Sequence, residues 1–127
     1  MLIKALLISL SLAILAGCSS SPASYSETNN GVTEQGKASF YADKYHGRLT
    51  ASGEKFDQQA MTAAHKKLPF NSMVKVTNTA NNRSVVVRVN DRGPFIRGRI
   101  IDLTQHAFEK LAEPSAGVIN VTIEVID

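Results

Sequence analysis

From residue 73 to 78 the chain reads Met-Val-Lys-Val-Thr-Asn, apolar and polar in alternation, the period of a strand with one buried face. The same period runs almost unbroken from 118 to 126, Val-Ile-Asn-Val-Thr-Ile-Glu-Val-Ile. Residues 84–90, Ser-Val-Val-Val-Arg-Val-Asn, are β-branched and mostly apolar, which predicts a central strand. Shorter strands are predicted at 37–42 and 99–103, and a weaker one at 60–65. Asn81-Asn82 suits a hairpin turn between the strands at 73–78 and 84–90. The pattern changes once, at Thr104, an N-cap for a helix over 105–112 that Pro114 stops and that carries Phe108 and Leu111 on one face. Six short strands and one or two short helices predict a mainly β domain, a small closed barrel.

The first seventeen residues carry a different pattern. Lys4 precedes an apolar run over 5–15, too short to cross a bilayer, and Leu15-Ala16-Gly17-Cys18 follows. Small residues before a cysteine resemble the bacterial lipobox. That resemblance implies a lipoprotein signal peptide over 1–17, cleavage before Cys18, acylation of Cys18, and a stable membrane anchor through its lipid. Ser19 resembles the sorting residue of lipoproteins sent to the outer membrane, where this chain would face the periplasm. Residues 18–35 are rich in Ser, Asn, Thr and Gly without periodicity and read as a flexible tether, leaving 36–127 as the folded domain.

Composition narrows the function classes. The chain has 127 residues, 43% hydrophobic, with a formal net charge of +3, enough for one globular domain. Its longest basic run is Lys66-Lys67, which argues against a nucleic-acid partner. A single cysteine excludes an internal disulfide and a Cys-rich zinc site. No His spacing typical of metal sites, phosphate-binding glycine loop or dinucleotide fingerprint is present, so no metal or cofactor is expected. The domain is expected to be a monomer.

Residues 41–56 lack apolar periodicity yet hold Tyr, His, Arg, Thr, Ser and Glu, and a polar loop this long in a small domain is more often functional than idle. Asp91 sits where an apolar strand breaks into Arg92-Gly93-Pro94. It reads either as a carboxylate held at a rigid strand end for acid–base work, or as a turn residue pairing with Arg92. Glu54 reads as a second carboxylate or as a solvated loop residue, and His65 as a catalytic or a structural histidine. Two carboxylates and a His suit glycoside cleavage. Exposed rings beside a carboxylate suit a sugar face, so Tyr41 and Phe95 are candidate substrate contacts, with His46 beside them; Arg48 and Arg92 read either as contacts to carboxylates of the substrate or as braces of the loop, the second above all for Arg92.

Two stretches carry a resemblance: Gly36-Lys-Ala-Ser-Phe-Tyr41 with His46-Gly-Arg-Leu-Thr-Ala-Ser-Gly-Glu54, Thr62-Ala-Ala-His65 and Leu68-Pro69; and Val87-Arg-Val-Asn-Asp-Arg-Gly-Pro-Phe95. Together they closely resemble the rare lipoprotein A family of septal ring lytic transglycosylase-like lipoproteins, over nearly the whole domain. The resemblance implies a six-stranded double-psi β-barrel, shared with expansins. It also implies lytic cleavage of peptidoglycan between N-acetylmuramic acid and N-acetylglucosamine, endolytic or exolytic, to a 1,6-anhydro end. It puts the family's functional positions on Glu54, His65 and Asp91, with His65 available to hydrogen-bond one of the carboxylates. Many members add a C-terminal SPOR domain, and the sequence shows none after the last strand. The alternative is a non-catalytic, expansin-like peptidoglycan-binding lipoprotein.

Overall fold

The computed structural model describes residue 31 and residues 33–127; the signal peptide, Cys18 and most of the tether predicted from the sequence lie outside the described residues. Six strands and one short helix follow in chain order: β1 (Thr33–Phe40), β2 (Thr62–Ala64), β3 (Met73–Asn78), β4 (Ser84–Asp91), β5 (Arg99–Leu103), α1 (Gln105–Glu109) and β6 (Ile119–Val125). They close into a barrel in the order β1-β5-β2-β4-β3-β6. β1 pairs parallel with β5 and β2 parallel with β4, while the remaining neighbours are antiparallel. This is the mainly β, six-stranded double-psi barrel that the resemblance implies.

The alternating strands fill the barrel with branched aliphatics. Val76 pairs with Val85 on one side and Ile123 on the other, and Val74 with Val87 and Val125. All of these side chains are buried. α1 closes one end: Phe108 and Leu111 are fully buried, and the Phe108 ring lies 4.7 Å from that of Phe40. Thr104 caps the helix by accepting from the Ala107 N–H, as its position predicts. Asn82 takes the left-handed conformation (φ 60°) in the β3–β4 turn, which asparagine tolerates.

β3 and β5 occupy the spans that the alternation predicts; other boundaries differ. β1 begins at Thr33, so the expected tether reaches three residues too far. Thr33, Glu34 and Gln35 pair with Glu124, Ile123 and Thr122 of β6. Their side chains are exposed, so the pairing left no apolar trace. β1 also ends at Phe40 rather than 42, and β2 keeps only its middle three residues. The helix ends at Glu109 instead of 112, although the Leu111 and Ala112 N–H groups still bond the Phe108 carbonyl.

Candidate active site

A row of paired residues crosses four strands on the outside of the barrel. Ser39 of β1 pairs with Asp102 of β5, Asp102 with Ala64 of β2, and Ala64 with Asp91 at the end of β4. Leu103 and Ala63, the neighbouring pair, are buried in the core, so alternation turns Asp102 and Ala64 to the outer face. A bulge between Ala63 and Ala64 brings Asp91 into line. Asp91 and Asp102 are thus two strands apart, roughly 9–10 Å by strand spacing. The sequence reading gave Asp102 no role. Its signal was a carboxylate between the inward Ile101 and Leu103.

The loop between β1 and β2 lies over the β4 end of this row. Residues 47–56 fold back as a small hairpin, with Gly47 N–H on the Phe56 carbonyl (2.9 Å) and Thr50 N–H on that of Glu54 (2.7 Å). Its tip docks on the end of β4: Ser52 N–H donates to the Asn90 carbonyl (3.2 Å) and Ala51 N–H to Asp91 Oδ1 (2.8 Å). Gly93, at φ 115°, then turns the chain sharply after β4.

Asp91 accepts on both oxygens. Tyr41 Oη donates to Oδ2 (2.5 Å), and the Arg92 N–H joins that of Ala51 on Oδ1 (2.9 Å). Burial, then the hydrogen bond to Asp91, and then the charges of Asp91 and Asp102 push the Tyr41 phenol far above its ordinary value. Tyr41 therefore stays protonated and can always offer its hydroxyl to Asp91. Its ring is held against Phe56 at 4.4 Å.

Glu54 sits on the other side of Asn90. Arg88 grips it with two donors (2.6 and 2.9 Å), and Asn90 Nδ2 adds a third (3.2 Å). The hydrogen bonds from Arg88, then Asn90, hold the Glu54 carboxyl below its ordinary range, so Glu54 is ionised. The end of β4 thus holds both carboxylates: Glu54 through Arg88 and Asn90, and Asp91 as the next residue, bound by Tyr41. Arg88 was missed, and its only signal was a charge inside an apolar strand two residues before Asn90.

His65 does not touch either carboxylate, contrary to expectation. Its Nδ1 accepts from the N–H groups of Lys67 and Leu68 (3.0 Å each), so its proton is on Nε2, which donates to Glu34 Oε2 (3.0 Å). It is 6% exposed and organises the turn after β2, because Glu34 lies within the extra length of β1. His65→Ala leaves two N–H groups without their acceptor. An expected loss of about 1–3 kcal/mol in urea unfolding tests this structural role.

The other candidates separate. The Arg92 guanidinium lies 4.0 Å over the Phe70 ring and donates to the His65 carbonyl (3.3 Å), bracing its loop rather than pairing with the Asp91 carboxylate. Arg48 lies over Tyr45 at 5.3 Å. Phe95 is 81% exposed, an open ring just beyond the Asp91 turn. His46 bonds neither carboxylate; its Nδ1 accepts from the Gln58 N–H (3.2 Å). Among the described residues no three His, Cys, Asp or Glu side chains gather as a metal-binding group.

Comparisons with known proteins agree with this architecture. The family model for lytic transglycolase matches residues 33–123. The endolytic peptidoglycan transglycosylase RlpA of Vibrio cholerae is 62% identical over 96 residues, 76% of this chain but 36% of that protein. Thus the chain spans about a third of that relative's length. Among solved structures, the Streptomyces papain inhibitor superposes with a TM-score of 0.63 at 28% identity, covering 77% of this chain and 97% of the other. A Clavibacter michiganensis expansin in complex with cellohexaose gives 0.60 at 19% identity, covering 76% of this chain and 51% of the other, a likeness of fold.

Proposed function

Because the chain belongs to the lytic transglycolase family and is of the rare lipoprotein A type, we propose that it is a peptidoglycan lytic transglycosylase, cutting the β-1,4 bond between N-acetylmuramic acid and N-acetylglucosamine. The observation that carries this reading is the unlike treatment of two neighbouring carboxylates. Glu54 is clamped as an anion by Arg88 and Asn90, while Asp91 is held by neutral donors, the Tyr41 phenol and the N–H groups of Ala51 and Arg92. One carboxylate held in an ion pair and a second held only by neutral donors is an arrangement from which one site can supply both an anion and an acid.

The roles follow. An ionised Glu54 has no proton to give, so Asp91 is the acid. In its protonated form Asp91 donates to the glycosidic oxygen as the C1–O4 bond breaks. Glu54 stabilises the positive charge that grows on the sugar ring. The muramoyl C6 hydroxyl then attacks C1 and returns its proton to Asp91, closing the 1,6-anhydro ring with no net gain or loss of protons. Tyr41 keeps its hydroxyl donated to Asp91 and stabilises the carboxylate left once the proton has gone. Phe95 offers a face for a sugar ring. Cys18, through the lipobox resemblance, would tether the domain to the outer membrane, which palmitate labelling of wild type and Cys18→Ala tests.

Mass spectrometry of peptidoglycan, intact and stripped of stem peptides, tests the activity. Release of anhydro-muramoyl ends supports it. A folded protein that sediments with glycan but releases none supports the expansin-like binding alternative.

The Arg88 clamp sets a pH dependence. Because Glu54 is depressed in the folded chain, the stability it contributes is complete above the ordinary carboxylate range and is lost as pH falls through its lowered value. Arg88→Gln returns Glu54 toward that range. The acid limb of the activity profile, read as glycan release against pH, is expected to move to higher pH. An unmoved limb would take Glu54 out of the reaction.

A further inference from the structure

A cleft of about 580 Å³ lies apart from the two carboxylates, lined by Asp43, His46, Gln58, Gln59 and Gln105. Its size is that of a small-ligand site. Three segments build it: the 3-10 turn Asp43–Tyr45, the end of the long loop, and the start of α1. Gln58 fixes all three. It is 6% exposed, and its Nε2 donates to the Tyr41 carbonyl (2.9 Å) and to Asp43 Oδ1 (3.1 Å), while its Oε1 accepts from the Gln105 N–H (2.8 Å). Its own N–H holds His46 Nδ1. None of these interactions serves the reaction described above, yet they preorganise a cleft that sets a few polar groups among the apolar stems of its side chains.

The groups left over define a ligand. With Nδ1 accepting, neutral His46 carries its proton on Nε2 as a donor. Asp43 keeps Oδ2 as an acceptor, and Gln59 brings a carboxamide with both functions. No lysine or arginine lines the cleft, and Asp43 opposes an anion there. The chemistry fits a neutral amide with hydroxyls around it, an N-acetylated sugar, and disfavours the carboxylates of a stem peptide. Tyr41 joins this cleft to the reacting groups: its carbonyl binds Gln58, and its hydroxyl binds Asp91. The cleft and the reacting groups thus lie at opposite ends of Tyr41, a separation suited to a strand of several sugars.

We propose that this cleft is a distal subsite for an N-acetylglucosamine unit of the same glycan strand whose scissile bond lies at Asp91, a proposal that rests on the transglycosylase reading for its choice of strand. The domain would then select strand length through a site that takes no part in bond cleavage, and binding energy gathered there would favour long glycans over short ones.

Titration of the full chain with chitobiose and chitohexaose, followed by backbone amide NMR, tests it. Chitohexaose is expected to shift the Gln59 and Gln105 signals, and chitobiose is not. The Gln59→Ala variant loses no hydrogen bond to the Gln58 network and is expected to bind chitohexaose five- to tenfold more weakly, with chitobiose unchanged. A second variant, Gln59→Trp, fills the cleft and should lower chitohexaose affinity at least as much. If chitohexaose does not bind, leaves the Gln59 and Gln105 signals in place, or binds both variants as it binds the wild type, the subsite is refuted. The two readings fail separately. Anhydro-product release without these shifts removes the subsite alone, whereas the shifts without anhydro products remove the catalytic reading and leave a glycan-binding cleft.

Discussion

Asp91→Asn is expected to reduce release of anhydro-muramoyl ends by roughly a hundredfold to ten-thousandfold, the range for loss of a general acid–base group. The substitution keeps size and shape. An amide oxygen in the place of Oδ1 still accepts from the N–H groups of Ala51 and Arg92, and the Tyr41 hydroxyl can accept from the new amide in the place of Oδ2. The loop tip therefore stays docked on β4, and what is lost is the ability to give and retake a proton. The check is quantitative mass spectrometry of digested peptidoglycan beside a thermal unfolding curve. Activity within tenfold of wild type, with the fold intact, would remove Asp91 from the acid–base role.

Phe108→Ala is expected to have the largest effect on stability, about 3–5 kcal/mol. Its ring is wholly buried, packed at a tilt against Phe40, and closes one end of the barrel. Domains of this size are typically stable by only about 5–15 kcal/mol. A fall of about 15 °C or more in the unfolding midpoint follows for a domain near 100 residues. α1 has five residues and cannot persist on its propensity alone; burial of Phe108 and Leu111 holds it. Loosening it also frees Gln105, whose N–H is bound by Gln58, so the polar cleft is disturbed with it. Val86→Ala, at a largely exposed position of β4, is a matched control expected to change stability by less than about 0.5 kcal/mol.

The sequence was most legible where side chains alternate against the core. β3 and β5 were found at their full extent and the Thr104 cap in place, because burial and capping write themselves into local residue choice. The first half of β1 was illegible, since its pairing with β6 uses backbone groups and leaves its side chains in solvent. The same gap hid the partner of His65. Its partner Glu34 is 31 positions away, in a segment taken for tether.

By itself the sequence determined the barrel class, and it placed Glu54 in a polar loop and Asp91 at a strand end, since periodicity and motif are properties of neighbours along the chain. Which carboxylate is held as an anion, which leans on a phenol, and that Asp102 shares a row with Asp91 were decided only by the tertiary structure. Those facts depend on contacts between Arg88 and Glu54, Tyr41 and Asp91, and Asp102 and Ala64, each pair more than thirty residues apart. Hydrogen bonding and charge act through space, and strand register is what converts distance along this chain into contact.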